Sequence, residues 1–248
     1  MTEALKAVQL TKTYGSVTAI ADVDLTLAFG EILAVVGDNG AGKSTLMACL
    51  AGATQPDHGE IWLDGRRMHF RNTIDARRAG IEIVYQSLAL APAQDVVSNM
   101  FLSRERRRRG VLGTVFRLLD DQAMELEANR HLEDLGLHPV QDLRQRVATL
   151  SGCQRQAIAV ARAVAFGGKV IIFDEPTAAL GVHASQVVLG VMKRLRDRGL
   201  GVILVSHNMQ DVFAVADRIA IQRLGRCEAV VDTQSCRPDE VERIMSGG

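Results

Sequence analysis

Aromatic residues make up only 4% of this 248-residue chain, too few for a surface that binds nucleic acid by stacking its bases. Twenty-nine lysines and arginines are matched by 29 aspartates and glutamates, so the net charge is zero. No global field draws the chain onto nucleic acid or an anionic membrane. No apolar run approaches the ~20 residues that cross a bilayer; "EILAVV", "KVIIF" and "GVILV" are the size of strands. The opening "MTEALKAVQL" carries an early acid and no long apolar region, so no secretory signal is expected. The four cysteines, Cys49, Cys153, Cys227 and Cys236, show no Cys-x-x-Cys spacing. A reduced, cytosolic setting without structural zinc is expected. Any membrane role is then expected to come through a partner.

What remains is ordinary for a globular protein: 47% hydrophobic and 23% charged residues, in a chain long enough to bury a substantial core. "ADVDLTL" (21–27) alternates as a half-buried strand does, while "EILAVV" (31–36) suits a strand covered on both faces. A glycine-rich turn follows, then the helical "STLMACLAG", and strands in "GEIWLDG" (59–65) and "GIEIVYQ" (80–86). From about 87 to 165 the texture changes to Leu, Met, Ala, Glu and Arg. Met124, Ala128, Leu132 and Leu135 form one helical stripe there, capped by Gly136. This block is expected to be all-helical. Within it "RERRRR" (104–109) reads as a solvated helix end or loop, with a docking surface as the rarer alternative. Then "VIIF", a helix around 187–195, "GVILVS", a helix around 209–216 and "RIAIQRLG" restore α/β alternation. The expected plan is a core of 1–87 and 166–248 interrupted by a helical insertion, 88–165.

The strongest chemical signal is "GDNGAGKS" (37–44), which fits G-x-x-x-x-G-K-[ST] between a strand and a helix. Its glycines, Gly37, Gly40 and Gly42, let the backbone of Asp38, Asn39 and Ala41 wrap around phosphates. Lys43 would reach the β- and γ-phosphates and the Ser44 hydroxyl would ligate Mg²⁺, with the helix N-terminus aimed at the same anion. In "VIIFDEPT", Asp174 ends an apolar strand where ligands of parallel sheets sit, and can hold Mg²⁺ through water. Glu175 is the candidate general base, and Pro176 ends the strand. Gln86 and His207 close two further strands; each is a loop residue or a phosphate-directed group, depending on what the strand ends surround. In "TLSGCQRQ" (149–156), Ser151 has the place of a helix cap for the helix from Gly152.

The order of these motifs resembles the ATP-binding cassette family, the ATPase subunits of ABC transporters, over nearly the whole chain. "GDNGAGKST", "DEPTAALGV", "SHNMQDVFAVADRI" and "RLGR" are most similar to the ATPases of ribose-, xylose- and fructose-type sugar importers. The resemblance implies a RecA-like P-loop NTPase core with an N-terminal antiparallel β-subdomain and an inserted α-helical subdomain. It implies ATP and Mg²⁺ as ligands, with Gly37–Thr45 as the phosphate loop, Ser44, Gln86 and Asp174 around the metal, and Tyr14 stacked on adenine. Tyr14 read by itself is equally a core strand tyrosine. It further implies a homodimer of cassettes with each ATP between 37–45 of one copy and Ser151, Gly152, Cys153 and Gln154 of the other. Glu175, His207, Gln86 and Lys43 would carry hydrolysis. The partners implied are membrane permease subunits, with an external solute-binding protein beyond them and no direct solute contact. The location implied is peripheral, on the cytoplasmic face of the inner membrane.

Two positions depart from the family pattern. Cys153 stands where a glycine is usual; it keeps the backbone N–H but adds a Cβ and a sulfur at the phosphate contact, so a slower ATP-sandwich contact is expected. Gly181 stands where many relatives carry aspartate, and marks the sugar-importer subfamily. The alternatives to sugar import are a non-hydrolysing regulatory subunit, a non-sugar importer, and an ABC ATPase acting on DNA or ribosomes. The neutral charge and single phosphate loop disfavour the last.

Overall fold

In a computed structural model, residues 2–85, 89–108, 110, 116–137, 140, 142–165, 168–178 and 180–247 are described. The chain divides into two compact units, one of residues 1–86 and 168–248 and one of 87–167.

The first unit holds two sheets. β1 (Glu3–Tyr14), β2 (Val17–Ala28), β4 (His58–Leu63) and β5 (Arg66–Met68) form an antiparallel sheet in the order β2-β1-β4-β5. The second sheet runs β10-β9-β3-β8-β7-β6, from β3 (Ile32–Val36), β6 (Ile81–Val84), β7 (Val170–Asp174), β8 (Gly201–Val205), β9 (Arg218–Arg223) and β10 (Arg226–Asp232). Its strands β9, β3, β8, β7 and β6 are parallel; β10 adds an antiparallel edge. Every residue of β3 and β8 is buried, which is why these stretches read as continuous apolar runs rather than alternating ones. Each such side chain contributes ~1.5–3 kcal/mol by leaving water, so a charge placed at Val35 or Ile203 would break the sheet's centre.

α1 (Lys43–Leu50) follows β3, and its Leu46, Met47 and Leu50 join one core with Leu5, Leu10, Leu25 and Ile61 of the antiparallel sheet and Leu33, Ile172 and Ile203 of the other. α2 (Thr73–Ala79) is capped by Asn72, whose side chain accepts from the Asp75 N–H, and ends on Gly80 in the left-handed region. α6 (Val182–Asp197) begins at Gly181 without a side-chain cap, and α7 (Met209–Val215) begins under the Asn208 side chain. α8 (Pro238–Ser246) opens with proline in its first turn, a position where the missing N–H costs nothing.

The second unit contains α3 (Val96–Met100), α4 (Asp121–Asp134) and α5 (Gly152–Val164), which pack on one another. The expected stripe of Met124, Ala128, Leu132 and Leu135 is buried, and the chain turns at Gly136 with φ +60°. Fully buried Asn99 keeps its amide satisfied by accepting from Ala91 N–H at 2.7 Å and donating to the carbonyls of Ala91 and Asp95. The named elements of this block are helices, as expected, and an isolated bridge lies outside them. Arg107 and Leu119 pair as an antiparallel bridge, with Arg108 N–H donating to Leu118 and Asp120 N–H to Arg106. Arg106, Arg107 and Arg108 of the arginine run lie in this stretch, with Arg106 paired to Glu127 at 2.7 Å.

Candidate nucleotide site

The phosphate loop connects β3 to α1 at the C-terminal edge of the parallel sheet, where such sheets bind ligands. Two of its glycines are required by contact as well as by conformation. Gly42 has φ +95°, and a Cβ there would collide with the Ala19 carbonyl and lie 2.9 Å from Ile20 Cγ2; at Gly37, φ +154°, it would collide with the Gln222 carbonyl. The loop therefore rests directly on β2 and β9. Ala21 N–H donates to the Gly225 carbonyl at 2.8 Å, and Gly225 N–H to the Ala41 carbonyl at 3.1 Å. No side chain caps α1, whose N-cap is Gly42. Its first-turn N–H groups are left for an anion.

Lys43 is buried, with Nζ donating to the carbonyls of Gly37 at 2.6 Å and Asp38 at 2.9 Å. Burial lowers its pKa, opposed by Glu175, Asp38 and Asp174. A cleft of about 480 Å³ gathers Asn39, Gly40, Gly42, Lys43, Ser44 and Thr45 with Asp174 and Glu175 from the end of β7, and with Val17 to Ala19 of β2. The Asp174 carboxyl is pushed above its usual range by burial and then by the Glu175 charge, with Lys43 pulling the other way. Two carboxylates beside a phosphate loop favour a cation. Ser44 and Asp174 are hard oxygen donors of the kind Mg²⁺ takes. No cluster of three or more His, Cys, Asp or Glu side chains able to cage a metal occurs among the described residues.

Glu175 turns off β7 with φ +47° and donates its N–H to the Val205 carbonyl at 2.9 Å. Its Oε1 lies 3.2 Å from His207 Nδ1. Thr177, two residues on, donates its hydroxyl to Asp211 Oδ2 at 2.7 Å. A second cleft, of about 430 Å³, is lined by Glu175, Thr177, His207, Asn208 and Asp211.

The remaining sequence candidates fall elsewhere. Tyr14 ends β1 half-exposed, opposite Val17 in the register, with Lys12 Nζ 5.7 Å from its ring centre. Ser151, Gly152, Cys153 and Gln154 begin α5 in the other compact unit. There Ser151 caps the helix as expected, in a reciprocal box: Gln154 N–H donates to Ser151 Oγ at 3.3 Å and Ser151 N–H to Gln154 Oε1 at 2.8 Å. The Gln154 carbonyl oxygen is thus engaged within the cap. Cys153 is half-buried in the first turn. Gln86 lies outside the described residues. The sequence reading passed over Thr177 and Asp211 as a pair, and also Gln222, which is buried behind the loop with no partner for its Nε2 among the described residues. A polar residue inside "IAIQRLG" was the available signal for Gln222.

Fold and site together define a P-loop nucleotide-binding protein. The profile of the ABC transporter family matches residues 20–178. A fructose import ATP-binding protein of Rhizobium meliloti is 53% identical over 98% of this chain and 94% of its own length. A xylose/arabinose import ATP-binding protein of Sulfolobus acidocaldarius is 38% identical, covering 99% and 95%. A ribose import ATP-binding protein of Rubrobacter xylanophilus is 40% identical over 96% of this chain, which spans 46% of that relative's length. Among solved structures, a nucleotide-free ATP-binding cassette from an ABC transporter superposes with TM-score 0.80 at 21% identity, covering 98% of this chain and 95% of its own. A dimeric post-hydrolysis cassette bound to ADP and phosphate gives TM-score 0.77 at 24% identity, covering 94% and 100%. The chain belongs to the ABC transporter family, and is an ATPase of that family.

Proposed function

We propose that the chain is the energy-coupling subunit of an ABC importer for a monosaccharide, with the nucleotide held by the residues of the P-loop cleft. The observation that carries this reading is the gathering of Lys43, Ser44, Asp174 and Glu175 around one cleft, with His207 in contact with Glu175. The names of the sugar-import relatives support the substrate class.

In this reading the backbone of residues 37–42 and Lys43 bind the β- and γ-phosphates, and Tyr14 stacks on the adenine. Ser44, Asp174 and Gln86 hold Mg²⁺, which supplies neutralisation of phosphoryl charge. Glu175 accepts the proton of the attacking water, and His207 orients the γ-phosphate and the Glu175 carboxylate. Catalysis then rests on positioning and electrostatics rather than on a covalent intermediate. Two copies form a head-to-tail homodimer in which Ser151, Gly152, Cys153 and Gln154 of one close over the nucleotide of the other. The Gln86 region relays the nucleotide state to the permease. No described helix is long and apolar enough to cross a membrane. On this reading the subunit works peripherally, on the cytoplasmic face, through the permease. The sugar is bound by the permease and an external solute-binding protein, never by this chain.

The test is to purify the chain with its co-isolating permease in proteoliposomes. ATP-driven uptake of labelled fructose, ribose or xylose is measured for the wild type and for Glu175→Gln. The importer reading expects uptake of at least one sugar, abolished by Glu175→Gln with ATP binding retained. A regulatory subunit would show negligible ATPase activity in both proteins, and a non-sugar importer would hydrolyse ATP without moving any of the three.

A further inference from the structure

Glu175 and His207 stand on turns that leave adjacent parallel strands, β7 and β8. Their direct contact is partly solvated, since the imidazole is 63% exposed. A hydrogen bond in that setting is too weak and too easily exchanged with water to hold the histidine in one place. A second, better-sheltered link joins the same two turns. Thr177 is 7% exposed, and its hydroxyl reaches Asp211 in the first turn of α7 at 2.7 Å. Hydrogen bonds to a charged acceptor are the stronger kind.

Each end of this link is itself fixed. On one side, Glu175 N–H is bonded to Val205, Ala178 N–H to Glu175 and Leu180 N–H to Thr177, so the backbone that carries Thr177 is itself tied down. On the other, Asn208 Oδ1 accepts from the N–H groups of Gln210 and Asp211, and Asn208 N–H donates to the buried Ser206 Oγ. The short segment carrying His207 is thereby clamped between the end of β8 and the start of α7. Two residues past Glu175 and four past His207, the Thr177–Asp211 bond closes a loop of fixed links around the pair.

We propose that Thr177 and Asp211 are positioning residues for hydrolysis: their hydrogen bond sets where the His207 imidazole stands relative to Glu175. The proposal rests on the assignment of Glu175 and His207 to the hydrolytic step. Neither Thr177 nor Asp211 contacts nucleotide in this account; each acts through the histidine. Losing the link lets the imidazole leave its place, which costs turnover rather than nucleotide affinity, because the phosphate loop is built from other elements.

The discriminating substitution is Thr177→Val, which keeps the shape and removes only the hydroxyl, beside Thr177→Ser, which restores it. In the full-length chain Thr177→Val is expected to lower kcat about ten- to a hundredfold, as small misplacements of a catalytic group do, with KM for ATP within about twofold. Thr177→Ser is expected to return kcat to within about threefold of wild type. A readout independent of turnover is the ¹⁵N chemical shift of the His207 imidazole, assigned by its loss in His207→Ala. It is expected to coincide in wild type and Thr177→Ser, and to move in Thr177→Val toward its position in Glu175→Gln. An unmoved shift with unchanged kcat in Thr177→Val overturns the proposal. So does a loss of kcat that Thr177→Ser does not rescue. Glu175→Gln separates the two levels of the argument. Retained turnover in that variant overturns the underlying assignment and the proposal with it, whereas a dead Glu175→Gln beside a wild-type-like Thr177→Val overturns the proposal alone.

Discussion

His207 and Glu175 meet at 3.2 Å through Nδ1 and Oε1, although they lie 32 residues apart and on the ends of different strands. Groups that touch and serve one step lose function together. His207→Ala and Glu175→Gln are each expected to cost ~10²-fold or more in single-turnover hydrolysis, the usual contribution of a positioned base. The double variant is expected to be about as slow as the worse single one. Losses that multiply would assign the two residues to separate steps.

Asp174 carries a stability cost that depends on pH. Burial and Glu175 raise its carboxyl pKa in the folded chain, so ionising it disfavours the fold. The associated stability is fully present below the unfolded carboxylate value and is lost as pH rises through the raised, folded one. Asp174→Asn is therefore expected to raise Tm at pH 7.5, with the gain shrinking toward pH 4, while Mg²⁺-dependent ATP hydrolysis is lost. A gain independent of pH would trace the effect to something other than ionisation.

Gly42→Ala tests the seat of the phosphate loop. The added methyl meets the Ala19 carbonyl and Ile20, and the left-handed backbone costs a further ~1–2 kcal/mol for any residue with a Cβ. Both a lower Tm and a loss of fluorescent-nucleotide binding of about tenfold or more are expected, since the N–H groups that would face phosphate are displaced with the loop. Intact nucleotide affinity in a folded variant would count against the loop's role.

Gln222 sits 2% exposed, and its amide Nε2 has no partner among the described residues. An unsatisfied buried donor costs ~1–3 kcal/mol, and methionine fills a similar volume without it. Gln222→Met is expected to raise Tm by about 2 °C or more, at the scale of 2–4 °C per kcal/mol for a chain of this size. A lower Tm would place an acceptor, water included, on that amide.

Cys153→Gly separates helix stability from nucleotide closure. Glycine in the first turn of α5 weakens the helix by up to ~1 kcal/mol, so Tm is expected to fall by a few degrees. Beside it, a Cβ on Gly152 would meet no atom of the described residues within 4 Å. In the assembled transporter, ATPase and transport rates are expected to rise as the Cys153 Cβ and sulfur are removed. Unchanged rates would remove the cost assigned to cysteine.

Much of the core was legible because burial on both faces writes strands such as β3, β7 and β8 as unbroken apolar runs. The phosphate loop was legible because Gly37 and Gly42 are demanded by contact and Gly40 by its left-handed backbone. β1 was not, since its register slips between Ala7 and Leu10 and Gln9 adopts φ +47°, which breaks the two-residue alternation. α3 is barely more than one turn, too short to show a helical period. The Arg107–Leu119 pairing defeated composition, because a strand bridge is decided by a distant partner and not by local propensity. In the site, Asp174, Glu175 and His207 stood at strand ends and could be picked out. The Thr177–Asp211 bond spans 34 residues and left no mark in either local pattern.

The hydrogen bonds from Ala21 to Gly225 and from Gly225 to Ala41 close a circuit through three distant parts of the chain, with Ala19 and Gly42 pressed together inside it. The seat of the loop is thus a larger block of the chain than its signature suggests. A one-residue insertion or deletion in 17–21, or at the β9–β10 turn, would shift the mould as surely as a change within 37–44. Drift in these plain-looking stretches should be as restrained as in the glycine-rich loop itself.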